Sequence, residues 1–141
     1  MKVFLDANII IDLLDTSRES SAFSLELFST ITDKNFDMTI SEDILTTVYY
    51  VTKKSVPRKK LLSFFEMIND EFSILNFKKK IIKKTIKLCQ SNSRLDFEDA
   101  LQVICAGEYK CDIIITNDKK FPVVKVPVKS TKDFLEEYGK K

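Results

Sequence analysis

Short apolar runs alternate along the chain with longer segments whose apolar residues recur every three or four positions. Five runs predict β-strands: Lys2–Leu5, Phe36–Ile40, Phe72–Leu75, Asp112–Thr116 and a last one near Val123–Val128. The segments with helical spacing begin at Asn8, cover Glu19–Ile31 and Glu42–Lys54, restart at Val56-Pro57, and then cover Lys78–Gln90, Asp96–Tyr109 and Thr131–Tyr138.

This alternation predicts the fold class. The three consecutive isoleucines of Asp112–Thr116 are typical of a strand that is buried on both faces. Strands that alternate with helices imply an α/β fold with a mainly parallel sheet covered by helices on both sides. In such sheets ligands bind beyond the carboxyl ends of the strands, so polar residues at those ends are the first candidates for chemistry.

Four aspartates lie at positions of this kind. Asp6 ends the first strand, Asp118 follows the isoleucine strand, and Asp96 and Asp99 open the helix that leads into that strand. If the strands are parallel neighbours, these carboxylates share one edge and repel one another, which raises their pKa values. Mg²⁺ or Mn²⁺ relieves such repulsion, and a cation held in this way can activate water against a phosphodiester.

Each of these acids also has an ordinary structural interpretation. Asp96 with Asp99 fits a helix cap followed by an acid in the first turn. Asp6 with Asn8 fits a turn and a cap, and Asn117-Asp118 fits a plain turn. Their joint placement at strand ends and helix starts favours the metal site, and one aspartate can be both a cap and a ligand.

Composition narrows the chemistry further. The chain of 141 residues has no histidine and only two glycines. The first absence excludes Ser-His-Asp and Cys-His catalysis, and the second leaves too few glycines for a P-loop or a dinucleotide fingerprint. Cys89, Cys105 and Cys111 show no metal-binding spacing and are expected to be ordinary thiols. No segment reads as a membrane anchor or a cleaved leader, so we expect a cytoplasmic protein.

The net charge of +2 is mild, but the basic residues are clustered. The helix predicted over Lys78–Gln90 carries five lysines along one flank: Lys79, Lys80, Lys83, Lys84 and Lys87. Such a run is commonly a solvated helix face. The functional alternative is a surface that follows the phosphates of RNA.

The residues quoted above resemble a known family. The run Val3–Leu14 with Asp6-Ala-Asn8, the run Asp96-Phe-Glu-Asp99, and Thr116-Asn-Asp118 are similar, in this order and spacing, to PIN-domain nucleases of the small prokaryotic VapC type. The resemblance covers nearly the whole chain, 1–141, as one domain. It implies a three-layer α/β/α sandwich with a parallel sheet of about five strands.

The resemblance also implies Mg²⁺- or Mn²⁺-dependent RNA cleavage. Asp6, Asp99 and Asp118 match the family's metal ligands, and Asp96 matches an acid found in a subset of members. Asn8, Ser41 and Thr116 are expected to support the ligands. The family implies an antitoxin protein as partner and makes a homodimer plausible, with the helices around Tyr49–Phe65 as its surface.

One position departs from the family. These nucleases commonly carry a glutamate about six residues after the serine that ends the second strand, and that count from Ser41 reaches Thr47. Glu42 and Asp43 lie at the start of the same helix and offer a carboxylate from another angle. Glu42 is the additional ligand that we consider, against the alternative of a simple helix-start charge.

Three functions therefore compete. The leading one is a metal-dependent endoribonuclease, the toxin of a toxin–antitoxin pair. The second is a catalytically weak RNA-binding or protein-interaction module that retains the fold, which Thr47 favours. The third is a phosphotransfer protein with a reactive aspartate. The patterns for a phosphatase or a receiver domain are absent, because Asp6 is followed by Ala7-Asn8 rather than by another acid.

Overall fold

The computed structural model describes residues 1–139. Its centre is a sheet of five parallel strands in the order β3-β2-β1-β4-β5. The strands are β1 (Lys2–Leu5), β2 (Asp37–Ser41), β3 (Ser73–Leu75), β4 (Ile113–Ile115) and β5 (Val128–Lys129). The predicted α/β class and the parallel sheet of about five strands are confirmed.

Within residues 1–139, seven helices cover the sheet. They are α1 (Ala7–Leu14), α2 (Ser21–Asp33), α3 (Asp43–Thr52), α4 (Arg58–Glu71), α5 (Lys79–Ser91), α6 (Phe97–Glu108) and α7 (Thr131–Tyr138). Helix α1 contacts α2 and α3, α2 also contacts α7, and α5 packs against α6. Right-handed crossovers between parallel strands place the first group on one face of the sheet and α5 with α6 on the other. This is a three-layer sandwich.

Burial explains why the first strand and helix fold as they do. Phe4 in β1 and Ile114 in β4 are 0% exposed, as expected for neighbouring central strands covered on both sides. Helix α1 is apolar around nearly its whole circumference, and Ile9, Ile10 and Ile11 are all buried. It lies between the sheet and helices α2 and α3, which explains its continuous apolar run.

The last strand differs from the prediction. It was expected near Val123–Val128, but β5 is only Val128–Lys129, where Ile114 N–H donates to Pro127 O and Thr116 N–H donates to Lys129 O. Pro122 and Pro127 have no N–H to donate to a ladder, so the intervening residues cannot extend the strand regularly. Val123 is accordingly 69% exposed.

The expectation of one domain over 1–141 stays a prediction, and residues 140–141 lie outside the described part of the chain.

Candidate metal site at the carboxyl edge of the sheet

The central strands β1 and β4 bring Asp6 next to Thr116. Asp6 follows β1, is 8% exposed, and caps α1 by accepting a hydrogen bond from Ala7 N–H at 2.7 Å. Its other oxygen accepts one from the Thr116 hydroxyl at 2.8 Å. The Thr116 oxygen in turn accepts from Asp118 N–H at 3.1 Å. One buried hydroxyl therefore ties the ends of both strands together and orients two of the predicted ligands.

Helix α6 brings the second pair of acids. Asp96 is its N-cap, and its carboxylate accepts from Asp99 N–H at 3.0 Å. Asp99 lies in the first helical turn and is half-buried, whereas Asp96 is exposed. The helix-cap interpretation is therefore right for Asp96. It does not compete with a ligand role, because the cap uses one carboxylate oxygen and leaves the other.

Electrostatic coupling links the four acids. Burial, followed by the negative charges of Asp96, Asp6 and Asp118, raises the pKa of Asp99 to about 6. Burial is also the main cause that raises the pKa of Asp6, although the hydrogen bonds from Thr116 and Ala7 oppose it. The structure thus brings Asp6, Asp96 and Asp118 within electrostatic reach of Asp99.

Helix α3 adds an acid at this edge, but not the one considered first. Both oxygens of Glu42 accept hydrogen bonds from the loop after β3, from Asn76 Nδ2 at 3.2 Å and Phe77 N–H at 2.8 Å. Asp43 instead raises the pKa of Asp6 through its charge. Asp43 is therefore the acid at the start of α3 whose charge acts on Asp6, while Glu42 is engaged with the loop after β3.

Two side chains fix the Asp43 carboxylate. Ser41, the buried last residue of β2, donates a short hydrogen bond to Oδ1, and Gln102 Nε2 donates to Oδ2 at 3.1 Å. Ser41 therefore supports the site through Asp43. Gln102 is 2% exposed and belongs to α6, so the bond also joins α3 to α6.

Thr47, where the family commonly has glutamate, faces an acid from another helix. Its hydroxyl lies 3.4 Å from Glu98 Oε1, and Glu98 is the second residue of α6. Burial and the negative charge of Asp43 are the largest causes that raise the pKa of Glu98. Sequence reasoning offered Asp43 only as an alternative to Glu42 and did not name Glu98 as a site residue. Helical phase could have found Asp43, because it lies one turn before Thr47 on the same helix face.

The remaining predicted residues lie further from the acids or are engaged elsewhere. Asn8 is exposed in the first turn of α1 and lines a cavity together with Asp118. On α5, Lys80 and Lys84 form ion pairs with Glu108 of α6. The other three lysines flank an apolar strip formed by Ile82 and Ile86: Lys79, Lys83 and Lys87.

The side-chain chemistry fits a hard cation. The four acids that gather here offer carboxylate oxygens, which Mg²⁺ and Mn²⁺ prefer. Within residues 1–139, no three acidic or thiol side chains stand together closely enough to hold an ion directly as they are placed. Mg²⁺ usually retains several of its waters and takes only one or two carboxylates directly, so it does not require three carboxylates in direct contact.

The cysteines take no part in this site. Burial raises the pKa of Cys105 to about 12 and that of Cys111 to about 11, so both thiols stay protonated and unreactive at neutral pH. All three cysteines are free, as expected. Among residues 1–139, no helix is long and apolar enough to cross a bilayer.

A parallel three-layer α/β sheet with carboxylates gathered at its C-terminal edge defines a class of proteins that bind their ligands at that edge. Comparison with known proteins specifies the class. A family model described as PIN domain matches residues 2–120. The chain is similar to Ribonuclease VapC1 of Aquifex aeolicus, with 34% identity over 139 residues, 98% of this chain and 96% of the relative.

Two solved structures share the fold. Mycobacterium tuberculosis VapC20, described as a sarcin-ricin loop cleaving toxin, matches with a TM-score of 0.71 and 10% identity, covering 84% of this chain and 92% of that one. A toxin–antitoxin complex from Klebsiella pneumoniae matches with a TM-score of 0.66 and 21% identity, covering 92% and 97%. The chain belongs to the PIN-domain family.

Proposed function

We propose that the protein is a divalent-metal-dependent endoribonuclease that hydrolyses RNA phosphodiester bonds at the acidic edge of the sheet. The observation that carries the proposal is the gathering of Asp96, Asp6 and Asp118 around Asp99, whose pKa is raised to about 6 by burial and then by these negative charges. A partly buried carboxylate among other carboxylates is typical of a site that receives a cation. The 34% identity to Ribonuclease VapC1 over almost the whole chain supports RNA as the substrate.

Asp6, Asp99 and Asp118 would hold Mg²⁺ or Mn²⁺, with Asp96 as a further ligand. The bound cation would lower the pKa of a water and neutralise charge that develops on the phosphate. The other residues of the edge orient the ligands: Thr116 holds Asp6 and the Asp118 backbone, and Ser41 holds Asp43. Asn8 presents its exposed amide beside Asp118.

Glu98 supplies from α6 the carboxylate that α3 lacks at Thr47. The contact of 3.4 Å between their side chains supports this exchange of position between two helices. A raised pKa keeps the Glu98 carboxylate closer to the pH at which it can accept and release a proton. The departure at Thr47 is therefore compatible with an active enzyme.

The proposal includes two protein partners. The family resemblance suggests an antitoxin protein that restrains the enzyme and a second copy of the chain. Tyr50, Val51 and Leu62 on α3 and α4 are 68%, 52% and 45% exposed, which supports the predicted association surface around Tyr49–Phe65. The lysines of α5 stay a candidate RNA-binding surface. Lys80 and Lys84 contribute less to it, because both pair with Glu108.

The test uses the purified chain and a mixed RNA pool with Mg²⁺ or Mn²⁺, followed by EDTA. We expect cleavage that EDTA stops and that Asp6→Asn and Asp99→Asn abolish. Asp37→Asn is the matched control, because Asp37 begins β2 and therefore lies at the opposite edge of the parallel sheet. Cleavage that persists in EDTA, or in both site variants, would exclude the metal mechanism.

The second candidate is a catalytically weak RNA-binding or interaction module. The absence of an acid at Thr47 is the observation in its favour. A folded, metal-loaded protein that binds the RNA pool but cuts none of it would support this alternative over the nuclease.

A further inference from the structure

An open cavity of about 610 Å³ lies directly beside the acidic edge. Asp118, a predicted ligand, and Asn8 belong to its wall, as do Arg18, Phe23, Thr131 and Lys132. Its size lies within the range of small-molecule sites, and it opens to solvent next to the predicted ligands. The chemistry of its wall therefore indicates what part of a substrate it can take.

Phe23 gives the cavity an aromatic surface. It lies on α2 and is 58% exposed, although burial of a phenylalanine ring is strongly favourable. An exposed ring on the wall of an open cavity that also carries charged side chains is suited to stacking against an unpaired nucleobase. Leu25, two residues along the same helix, is also exposed but does not line the cavity.

Two cations complement the aromatic surface. Lys132 is exposed in the first turn of α7, where it can meet a phosphate. Arg18 is held at the wall because its Nε donates to Asp12 at 2.6 Å, and Asp12 is 2% exposed. Ser20 donates to the other oxygen of Asp12 at 2.7 Å. The guanidinium is thus fixed in place before any ligand arrives.

Thr131 supplies an independent sign of a missing polar ligand. It lines the cavity and is 2% exposed, and its hydroxyl has no hydrogen-bond partner among residues 1–139. Its backbone N–H is satisfied, because it donates to Asn117 Oδ1 at 3.0 Å. A buried hydroxyl without a partner lowers stability, and a polar group of a ligand in the cavity would remove that penalty.

We propose that this cavity binds the nucleotide next to the scissile phosphate of single-stranded RNA, with its base stacked on Phe23 and its flanking phosphate paired with Lys132 and Arg18. The inference rests on the proposed ribonuclease function and assigns that function a substrate subsite. It requires an unpaired nucleotide, because a base held in a duplex cannot present its face to a side chain.

The test measures binding separately from cleavage. A labelled mixed-sequence single-stranded RNA is titrated into the cleavage-deficient Asp99→Asn protein, and anisotropy reports its affinity. Adding Phe23→Ala is expected to weaken binding by about tenfold. Phe23→Tyr should retain the affinity, and Lys132→Ala should reduce both the affinity and its dependence on salt.

Matched controls come from the same elements or charges. Leu25→Ala removes an exposed apolar side chain from α2 outside the cavity. Lys34→Ala removes an exposed lysine just after α2, at the opposite edge of the sheet from Asp118. Both should bind RNA as the Asp99→Asn parent does. Thermal unfolding of each variant checks that the fold is retained.

An abasic scan then identifies stacking. One base at a time is removed from an RNA whose cleavage site has been mapped. If no such RNA is found, the tightest-binding member of the pool is used. At one position, removing the base should weaken binding to the parent. The same removal should not weaken binding to Phe23→Ala any further, because the stacking contact is already absent in that variant.

The outcomes separate this inference from the nuclease proposal. If neither Phe23→Ala nor Lys132→Ala changes RNA binding, the proposed subsite is wrong, even if the parent chain still cleaves RNA. The cavity would then be available to a segment of a partner protein. Binding that depends on Phe23 in a chain that cuts no RNA supports the subsite and rejects the hydrolysis. A protein that binds no RNA at all overturns both.

Discussion

Thr116 donates a hydrogen bond to Asp6 over 2.8 Å, between residues that lie 110 positions apart in the sequence. The contact exists because β1 and β4 are parallel neighbours in register, with Leu5 beside Ile115. It joins the two strand ends that carry Asp6 and Asp118. The hydroxyl is therefore a positioning group for two proposed ligands at once.

Thr116→Val should damage the site more than the fold. The substitution leaves Asp6 without one of the two bonds that lower its pKa and removes the acceptor for Asp118 N–H. We expect the cleavage rate to fall about tenfold and the free energy of unfolding to fall by about 1 kcal/mol. Thr116→Ser keeps the hydroxyl and should retain most activity. Equal rates for the valine variant and the parent would contradict this role.

The repulsion at Asp99 predicts a pH-dependent stability of the metal-free protein. Its pKa in the folded chain is about 6, above the ordinary value of 3.8. Protonation therefore stabilises the fold. This contribution is complete below pH 3.8 and is lost as the pH rises through 6. The raised pKa values of Asp6 and Glu98 act in the same direction.

Asp99→Asn should consequently be more stable than the parent in EDTA at neutral pH. Because Asp99 is only half-buried, solvent screening reduces the gain to on the order of 1 kcal/mol. The gain should shrink as the pH falls toward 4, where the parent is also uncharged at this position. Denaturant unfolding at several pH values measures it, with Asp37→Asn as the control. A variant less stable than the parent at pH 7.5 would show that burial and repulsion of the Asp99 charge do not destabilise the metal-free fold.

The strand ends could be predicted from the sequence because they depend on local pattern. A buried apolar run that stops at an acid, as at Asp6, identifies the edge of a parallel sheet without any knowledge of packing. The same reasoning located Asp118 and the first turn of α6. It was less successful near Val123–Val128, where Pro122 and Pro127 restrict pairing although the valines favour a strand.

The acids of α3 and α6 depend on how two helices meet, which no local pattern reports. Glu42 and Asp43 are adjacent in sequence, but they point in different directions because successive helical residues are about 100° apart. Only Asp43 meets Gln102 of α6. The approach of Glu98 to Thr47 likewise requires the packing of α6 against α3, so the sequence alone could identify the missing glutamate but not its replacement.

We proposed that the Glu98 carboxylate of α6 takes the place of the glutamate that is absent at Thr47 of α3. This can be tested by removing the carboxylate from position 98 and placing one at position 47. Glu98→Gln should reduce cleavage about tenfold, because it removes the charge that stands where the family's glutamate is absent. Adding Thr47→Glu to that variant should restore much of the rate. Glu66→Gln, on an exposed position of α4, is the control. If Glu98→Gln cleaves as fast as the parent, Glu98 has no part in the reaction. If Glu98→Gln is slow and Thr47→Glu does not restore the rate, the two positions are not interchangeable.

Metal binding can be measured without any RNA. A ligand that binds only the folded state stabilises it, by about 2.7 kcal/mol at a concentration one hundred times its Kd. Mn²⁺ or Mg²⁺ should therefore raise the Tm of the parent chain, and Asp99→Asn and Asp6→Asn should lose most of that rise. Asp37→Asn should keep it, and KCl at matched ionic strength separates coordination from general screening. The rise should also diminish below pH 6, because protons compete with the cation for Asp99. Equal increases in the parent and both site variants would mean that the cation binds elsewhere, and the acidic edge would then lose its assigned role.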